Sequence, residues 1–253
     1  MTLTELDLYF RDYLELADYE QSDVSLNGIQ IGEGSREVKK VAFAVDACME
    51  TFIRAVREGA DMLFVHHGLY WGTPIRITGD FYKRIKYLLD NNLALYAAHL
   101  PLDSHPEVGN NARIAMQMGL QSIEPFGAYH GKMIGCKGVL PGTMDLDGVL
   151  GLLGLDRDGC HAVLPFGKRE IRTIGIISGG GTRDVAQAME QNLDLYLTGE
   201  VSHQIYHSCM EGGIHYIAAG HYFSETFGVR AMAEKMTQTM GLETVFVDVP
   251  TGL

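Results

Sequence analysis

The chain has 253 residues, of which 46% are hydrophobic and 21% are charged, and its formal net charge is −12 at pH 7. This composition excludes a disordered chain, and the length is sufficient for one large domain or two smaller ones. The negative charge argues against nucleic acid as the main partner, because proteins that neutralise many phosphates are usually basic.

The cysteines and the first residues bear on the cellular compartment. Cys48, Cys136, Cys160 and Cys209 form no CxxC motif, which predicts reduced thiols and argues against a cysteine-based zinc site. The first residues are acidic without an apolar run behind them, so no signal peptide is expected. No segment approaches the roughly 20 apolar residues that a membrane helix needs. We therefore expect a cytoplasmic protein that does not bind membranes.

The first half of the chain alternates between two kinds of hydrophobic pattern. Leu6, Phe10, Leu14 and Ala17 form an apolar stripe that predicts a helix over residues 4–18. Further helices are predicted over residues 49–58 and 80–90 and from Asn110 or Asn111 to Gly119, and strands over residues 41–45, 62–65 and 93–98. Strands that alternate with helices of about 10–15 residues indicate βαβ units and a mainly parallel sheet.

Residues 126–170 differ in composition and predict the start of a second domain. They are richer in glycine, and short strands are expected around one helix near residues 145–153. The first pattern then returns, with a strand over residues 174–178, a turn at 179–181, a helix over 182–191 and a strand over 193–197. The predicted fold class is α/β, with two interlinked α/β domains and mainly parallel sheets. Residues 1–125 plus 215–253 form the first domain, and residues 126–214 form the second, inserted domain.

Two pairs of segments resemble each other along the chain. The segment GADMLFVHH can be laid on NLDLYLTGE, which places His67 opposite Glu200. The segments LALYAAHLPLD and IHYIAAGHYFSE each contain an apolar strand, a histidine and a carboxylate four residues later, namely His99 with Asp103 and His221 with Glu225. In open α/β sheets, ligands bind at the carboxyl ends of strands. Both segments are therefore candidates for a functional site.

The local structure around the two histidine–carboxylate pairs is predicted to be a turn in each case. Pro101 disfavours helix at Leu100, and Ser224 is suited to cap the helix that follows it. Either carboxylate alone is also compatible with an ordinary helix N-terminus, where negative charge is favourable.

The complete set of strand-end residues favours a metal site over separate structural roles. His66 alone would be read as a packed core histidine, but four histidines and two carboxylates follow three predicted strand ends. Buried carboxylates need charge compensation, and mixed His, Asp and Glu ligation suits zinc, iron, manganese or nickel. Because neighbouring side chains on a strand point to opposite faces, His66 and His67 can serve two different ions.

Several motifs resemble the Nif-three-like dinuclear metal-centre family, whose members are often labelled GTP cyclohydrolase I type 2 homologues. The motifs are LNGIQIG, VHHG, HLPLDSHPEVGNN, TGEVSHQ and AGHYFSETFGVRAM, and the resemblance extends from about residue 5 to residue 250. It implies two α/β domains, two divalent metal ions in the cleft between them, and a toroidal homohexamer. Carried over by motif, the metal ligands are His66, His67, Asp103, His221 and Glu225, with Glu225 as the bridge. The family label alone does not establish a reaction.

Other polar residues near the predicted strand ends are candidates for catalysis. His99 matches a family position near the metals and is either a ligand or a proton carrier, and Glu200 is a general base or holds a histidine in orientation. An exposed or capping glutamate is the alternative for Glu200. His203 and His207 are four residues apart on a predicted helix, but they lack the glutamate of a protease motif. The role of His105 is left open.

Two functional hypotheses follow. In the first, the protein is a metal-dependent hydrolase that acts on a nucleotide or another small molecule, phosphorylated or not. The family resemblance implies chemistry like that of a GTP cyclohydrolase. In the second, it is a non-catalytic metal-binding, metal-delivery or regulatory scaffold protein. The triple glycine at residues 179–181 lacks the GK[ST] of a phosphate-binding loop and favours a tight turn. An open metal coordination position would favour catalysis, and closed coordination would favour the scaffold.

Overall fold

The computed structural model of the protein describes residues 1–253 and divides them into two compact units. Unit 1 comprises Met1–Leu102 and Gly228–Val249, and unit 2 comprises Asp103–Phe227 and Pro250–Leu253. Each unit is built on one β-sheet flanked by helices, which confirms the predicted α/β class with two sheets. None of the helices combines the length and the hydrophobicity that a membrane crossing requires.

The secondary structure alternates along most of the chain. The helices are α1 (Leu3–Tyr13), α2 (Met49–Arg57), α3 (Gly79–Asp90), α4 (Leu100–Ser104), α5 (Asn110–Gln117), α6 (Leu146–Leu152), α7 (Val185–Glu190), α8 (Ile205–Gly212) and α9 (His221–Met240), with 3-10 turns at Leu16–Tyr19 and Thr182–Asp184. The strands are β1 (Gly28–Ile31), β2 (Lys40–Asp46), β3 (Met62–His67), β4 (Ala94–Ala97), β5 (Gln121–Tyr129), β6 (Lys132–Met144), β7 (Ala162–Pro165), β8 (Ile171–Ile176), β9 (Leu195–Thr198), β10 (His215–Ala218) and β11 (Glu243–Phe246).

The sheet of unit 1 has the strand order β1-β4-β3-β2-β11. All its pairings are parallel except that of β1, which is an antiparallel edge strand. The central strands β2, β3 and β4 are buried over most of their length, as expected for parallel strands covered on both faces. The aromatic rings of Phe10, Phe64 and Tyr96 pack together, with ring centroids 4.8–5.6 Å apart.

Helix α1 covers this aromatic cluster and begins with a capping box. The Thr2 hydroxyl accepts from the main-chain N–H of Glu5 at 3.2 Å, while the Glu5 carboxylate accepts from the N–H of Thr2 at 2.8 Å. The helix ends at Tyr13, earlier than the predicted residue 18, because Glu15 adopts a left-handed conformation with φ 51° and a 3-10 turn follows. Three residues of the predicted apolar stripe, Leu6, Phe10 and Leu14, are nevertheless buried, whereas Ala17 is exposed.

The sheet of unit 2 has the strand order β5-β6-β8-β9-β10-β7 and is mixed. Strands β8, β9 and β10 are parallel, and the other pairings are antiparallel. Strand β10 pairs with both β9 and β7, so it lies inside the second sheet, whereas residues 215–253 were predicted to return to the first domain. The two compact units divide at Leu102 and Phe227, within α4 and α9.

The internal repeat is visible in the hydrogen bonds of each sheet. Before β3, one carboxylate oxygen of Asp61 accepts from the main-chain N–H groups of residues 39–40 at 2.8 and 3.1 Å. Before β9, one carboxylate oxygen of Asp194 accepts from those of residues 172–173 at 3.0 and 2.9 Å. These two aspartates are aligned when GADMLFVHH is laid on NLDLYLTGE, so the two units use the same device to align neighbouring parallel strands.

Candidate metal centre

Unit 1 brings three histidines together at the carboxyl ends of β3 and β4. These strands are parallel neighbours, so the side chains that follow them meet at one edge of the sheet. The ring centroids of His66, His67 and His99 lie 4.7, 5.0 and 5.7 Å apart, and one ligand atom from each lies within 4.8 Å of the others. The structure thus places together all three histidines that were predicted at these two strand ends.

The rings of His66 and His67 are oriented by hydrogen bonds at Nδ1. His66 Nδ1 lies 3.1 Å from the carbonyl oxygen of Ala98, and His67 Nδ1 lies 2.9 Å from Oδ1 of Asp46. A carbonyl or carboxylate oxygen can only accept, so each Nδ1 carries the proton and, in the neutral ring, Nε2 carries the lone pair. A carboxylate or carbonyl behind the ring is the usual support of a metal-ligating histidine.

The ring of His99 is held by a loop that sequence reasoning missed. Its Nδ1 lies 2.9 Å from Oδ1 of Asp23, and its main-chain N–H donates to Oδ1 of Asn27 at 2.8 Å. Burial would raise the pKa of Asp23, but the hydrogen bond from His99, together with those from Asn27 and Ser25, favours the carboxylate, and the pKa of Asp23 lies below its ordinary value. Asn27 lies in LNGIQIG, which is the only sequence signal for this support.

Close packing around residue 68 explains why a glycine follows the histidine pair. A Cβ at this position would lie 2.2 Å from the side-chain amide of Gln30, which in turn accepts from the N–H of Leu69 at 2.7 Å. The main chain then turns to Trp71, whose indole N–H donates to the carbonyl of Gly68 at 3.1 Å. The indole ring packs edge-on against His99 at 5.0 Å and lies 5.7 Å from His67.

Unit 2 carries the remaining predicted ligands, and both segments predicted as turns are helical. Pro101 is the second residue of α4, within the first helical turn, where its missing N–H leaves no hydrogen bond unmade. Helix α9 begins at His221, so His221 and Glu225 are neighbours on one helical face, with 3.1 Å between Nε2 and Oε2. Their spacing of four residues therefore brings the two side chains together on one face of the helix.

His221 lies between two carboxylates. Its Nδ1 is 2.6 Å from Oε1 of Glu200, and its Nε2 is 3.1 Å from Oε2 of Glu225. Burial would lower the pKa of His221, but the hydrogen bonds and charges of Glu225 and Glu200 outweigh it and raise the pKa to about 9. The position therefore favours a positive charge, from a proton or from a metal ion.

Two buried carboxylates approach each other in unit 2. One oxygen of Asp103 and one of Glu225 lie within 4.8 Å, and both residues are buried. Oδ1 of Asp103 accepts from the hydroxyl of Ser178 and from the amide of Asn110, each at 2.9 Å. Two carboxylates at this separation repel each other unless a proton or a cation compensates them.

Gly179 provides the space for this arrangement. Its φ is +62°, and a Cβ here would lie 2.0 Å from Oε1 of Glu225 and 3.1 Å from Nε2 of His221. Its N–H donates to the hydroxyl of Ser224 at 2.9 Å, which fixes the turn against the first turn of α9. The predicted tight turn at residues 179–181 is present, and its first glycine serves to admit the two ligand side chains.

The other histidines singled out in the sequence lie outside these groups. His105 Nδ1 accepts from the main-chain N–H groups of Glu107 and Val108 at 3.2 Å each, so its ring caps a turn. His203 precedes α8, whereas His207 lies within it, so the predicted helical face shared by these two residues is not formed. None of these three histidines belongs to a group of potential metal ligands.

The fold and these side chains define an α/β protein with two sheets and His, Asp and Glu groups that could hold a metal ion. The family described as Duf34/NIF3 (NGG1p interacting factor 3) matches residues 1–252. The chain therefore belongs to this family, as the motifs predicted.

Close relatives span the whole chain. The chain is 46% identical over 253 residues to a "GTP cyclohydrolase 1 type 2 homolog" of Archaeoglobus fulgidus. It is 40% identical over 286 aligned residues to a protein of the same name from Treponema pallidum. Each comparison covers all of both chains. The crystal structure of TTHA1606 from Thermus thermophilus matches with a TM-score of 0.89 and 38% identity over all of both chains.

Proposed function

We propose that the protein binds two divalent metal ions through His66, His67, Asp103, His221 and Glu225, with Glu225 bridging the ions, and uses them to hydrolyse a small-molecule substrate. The observation that carries the proposal is the approach of two buried carboxylates in unit 2, which calls for a cation. The histidine rings with Nδ1 engaged supply the neutral nitrogen ligands that such a cation needs.

The donor set fits the proposed ions. It contains imidazole nitrogens and carboxylate oxygens but no thiolate, a combination that suits zinc, iron, manganese or nickel. The supporting hydrogen bonds to His66, His67 and Asp103 come from residues that the fold already fixes. A site of this kind holds its ligands in orientation before the metal arrives, which lowers the entropy lost on binding.

Metal ions bound here would lower the pKa of a coordinated water and polarise the substrate. The chain would supply the proton transfers. In this proposal His99 accepts or returns a proton at Nε2, and Glu200 holds the ring of His221 through the 2.6 Å contact at Nδ1 or accepts a proton itself. Both residues are tested by substitution with alanine, with turnover and metal content measured on the same preparation, since unchanged turnover removes the residue from this role.

Nucleotides are the first substrate class to test. The support is the printed name of the relatives, "GTP cyclohydrolase 1 type 2 homolog", together with the size of the family match. Phosphoesters and other small phosphorylated molecules form the second class, because the same metal chemistry serves them. We also propose a homohexamer in solution, by resemblance to the family, and light scattering of the purified chain tests it.

A second candidate function is a non-catalytic metal-binding, metal-delivery or regulatory protein. The observation that favours it is that the sequence carries no nucleotide-binding motif: the glycine run at residues 179–181 lacks GK[ST], and its first glycine makes room for Glu225. Water exchange at the bound metal separates the two functions. A coordination position that exchanges with solvent favours hydrolysis, and closed coordination favours the non-catalytic function.

The first experiment is metal content per chain, measured by plasma mass spectrometry on protein purified without chelator or nickel affinity resin. We expect about two ions per chain, as in other dinuclear hydrolytic sites. Glu225→Gln removes the bridging charge and should lose most of the metal. Glu211→Gln, an exposed carboxylate on α8, is the matched control and should retain it. Little metal in the unaltered chain, even after zinc, manganese or iron is added, would sink the proposal.

A further inference from the structure

Asp23 occupies a position behind His99 that no prediction assigned. Its side chain is 1% exposed, although it carries a carboxylate, and it lies 76 residues from His99 in the sequence. A carboxylate that is this deeply buried must be compensated by several donors. The identity of those donors determines what Asp23 does to the histidine.

Four donors surround the Asp23 carboxylate. Oδ1 faces the main-chain N–H of Ser25 and Nδ1 of His99, both at 2.9 Å, and Oδ2 faces the amide of Asn27 at 2.9 Å and the main-chain N–H of Leu100 at 3.0 Å. Three of these groups can only donate. The carboxylate can only accept, so the fourth, His99 Nδ1, donates as well.

We propose that Asp23 is a positioning residue that holds neutral His99 in the tautomer with the proton on Nδ1, so that Nε2 offers a lone pair to the group formed with His66 and His67. The contact of Nδ1 with Asp23 at 2.9 Å holds the ring in this direction, and Asn27 of the same loop holds the main chain of His99 by accepting its N–H at 2.8 Å. His99 thereby becomes the third imidazole of unit 1, and Asp23 acts on the site only through it.

The role of His99 in metal binding rests on the proposed function, whereas its tautomer does not. A histidine protonated on Nε2 could neither bind a metal through that atom nor accept a proton there. The tautomer can be observed directly, and it separates positioning from ordinary structural support, which would leave either tautomer acceptable.

The substitution Asp23→Asn tests the assignment because it replaces one acceptor oxygen with an NH₂ group. If that group faces Leu100 and Asn27, it opposes two groups that are fixed as donors. If it faces His99, the ring relieves the conflict by moving its proton to Nε2, and only the N–H of Ser25 remains opposed. We therefore expect His99 in the variant to carry its proton on Nε2.

Imidazole proton–nitrogen correlation spectra, recorded by NMR on the full chain as purified and after dialysis against chelator, report the tautomer of each ring. The unaltered chain should show His99 protonated on Nδ1, and Asp23→Asn should show it protonated on Nε2. Asp46→Asn is the matched control, because it removes the carboxylate behind His67 and should leave the His99 signals unchanged. If Asp23→Asn does not fold, the unaltered chain still decides, since His99 protonated on Nε2 there overturns the proposal.

Titration with Co²⁺, followed by its visible absorption, tests the consequence for the metal. Loss of a group that orients a ligand lowers metal affinity by about 10–100-fold, so Asp23→Asn should bind Co²⁺ weaker by that factor. Unchanged affinity in a variant whose tautomer has changed would overturn the role of His99 as a ligand. Absence of Co²⁺ binding by the unaltered chain would refute the proposed function, while the NMR spectra would still decide the tautomer.

Discussion

Replacing Asn111 with alanine should destabilise unit 2 severely. Asn111 is 1% exposed, and its side chain makes three hydrogen bonds to main-chain groups from separate segments. It donates to the carbonyls of Asp103 at 3.1 Å and Ile134 at 2.8 Å, and it accepts from the N–H of Ser178 at 2.7 Å. Alanine leaves all three groups without this partner, next to the residue that we propose as a metal ligand.

The size of the effect follows from the three groups. An unsatisfied buried N–H costs about 2 kcal/mol, and each carbonyl, which keeps a second lone pair, about 1 kcal/mol, giving a loss of about 4 kcal/mol. Whole domains are stable by only about 5–15 kcal/mol. With a urea slope of about 3 kcal/mol per M, the unfolding midpoint should fall by more than about 1 M.

Urea unfolding followed by circular dichroism measures this loss. Asn111→Asp keeps the acceptor for Ser178 but points an oxygen at two carbonyls, so it should be comparably unstable although its shape is unchanged. Asn91→Ala is the control, because its amide bonds to the exposed carbonyl of Tyr87, which water can satisfy. If the free energy of unfolding of Asn111→Ala lies within about 0.5 kcal/mol of that of the unaltered chain, as for surface substitutions, the hydrogen-bond reasoning is wrong.

Two further predictions concern a crowded glycine and the buried thiols. Gly179→Ala and Gly241→Ala each strain a left-handed backbone position, with φ +62° and +64°, but only Gly179→Ala places a Cβ against Glu225. Only Gly179→Ala should therefore reduce the metal content of the purified protein. Equal metal loss in both variants would contradict this reasoning. Burial raises the pKa of Cys136 to about 12 and of Cys209 to about 11. At pH 8 both thiols should therefore resist Ellman's reagent until urea is added. Rapid reaction of either thiol in the native chain would refute this.

The strand ends that carry the histidines could be read from the sequence because their signal is local. The apolar run before His66 predicts a buried strand, and parallel strands bring their carboxyl ends to one edge. The helical geometry at His221 could not be read in the same way. Its first turn is fixed by Ser224, whose hydroxyl accepts from Gly179, a residue 45 positions away. The Pro101 rule failed for another reason, because proline is tolerated in a first helical turn.

The supports of the site were missed where the partners are distant in sequence. An Asn-Gly pair such as Asn27 with Gly28 predicts a simple turn, yet the side chain of Asn27 holds a main-chain group 72 residues later. Strand β10 resembles β4 in sequence but pairs with β9 and β7, so it belongs to the second sheet. Neither the hydrogen bond of Asn27 nor the strand pairing of β10 leaves a local pattern in the sequence, so both could be recognised only in the three-dimensional structure.

Trp71 gives the protein a built-in optical reporter. It is the single tryptophan of the chain, and its ring lies 5.0 Å from His99 and 5.7 Å from His67. Indole emission is quenched by a neighbouring imidazolium and by paramagnetic ions, and no second indole contributes background. Protonation of these histidines and the arrival of an ion can therefore be followed in real time by intrinsic fluorescence, on the unlabelled and unmodified chain.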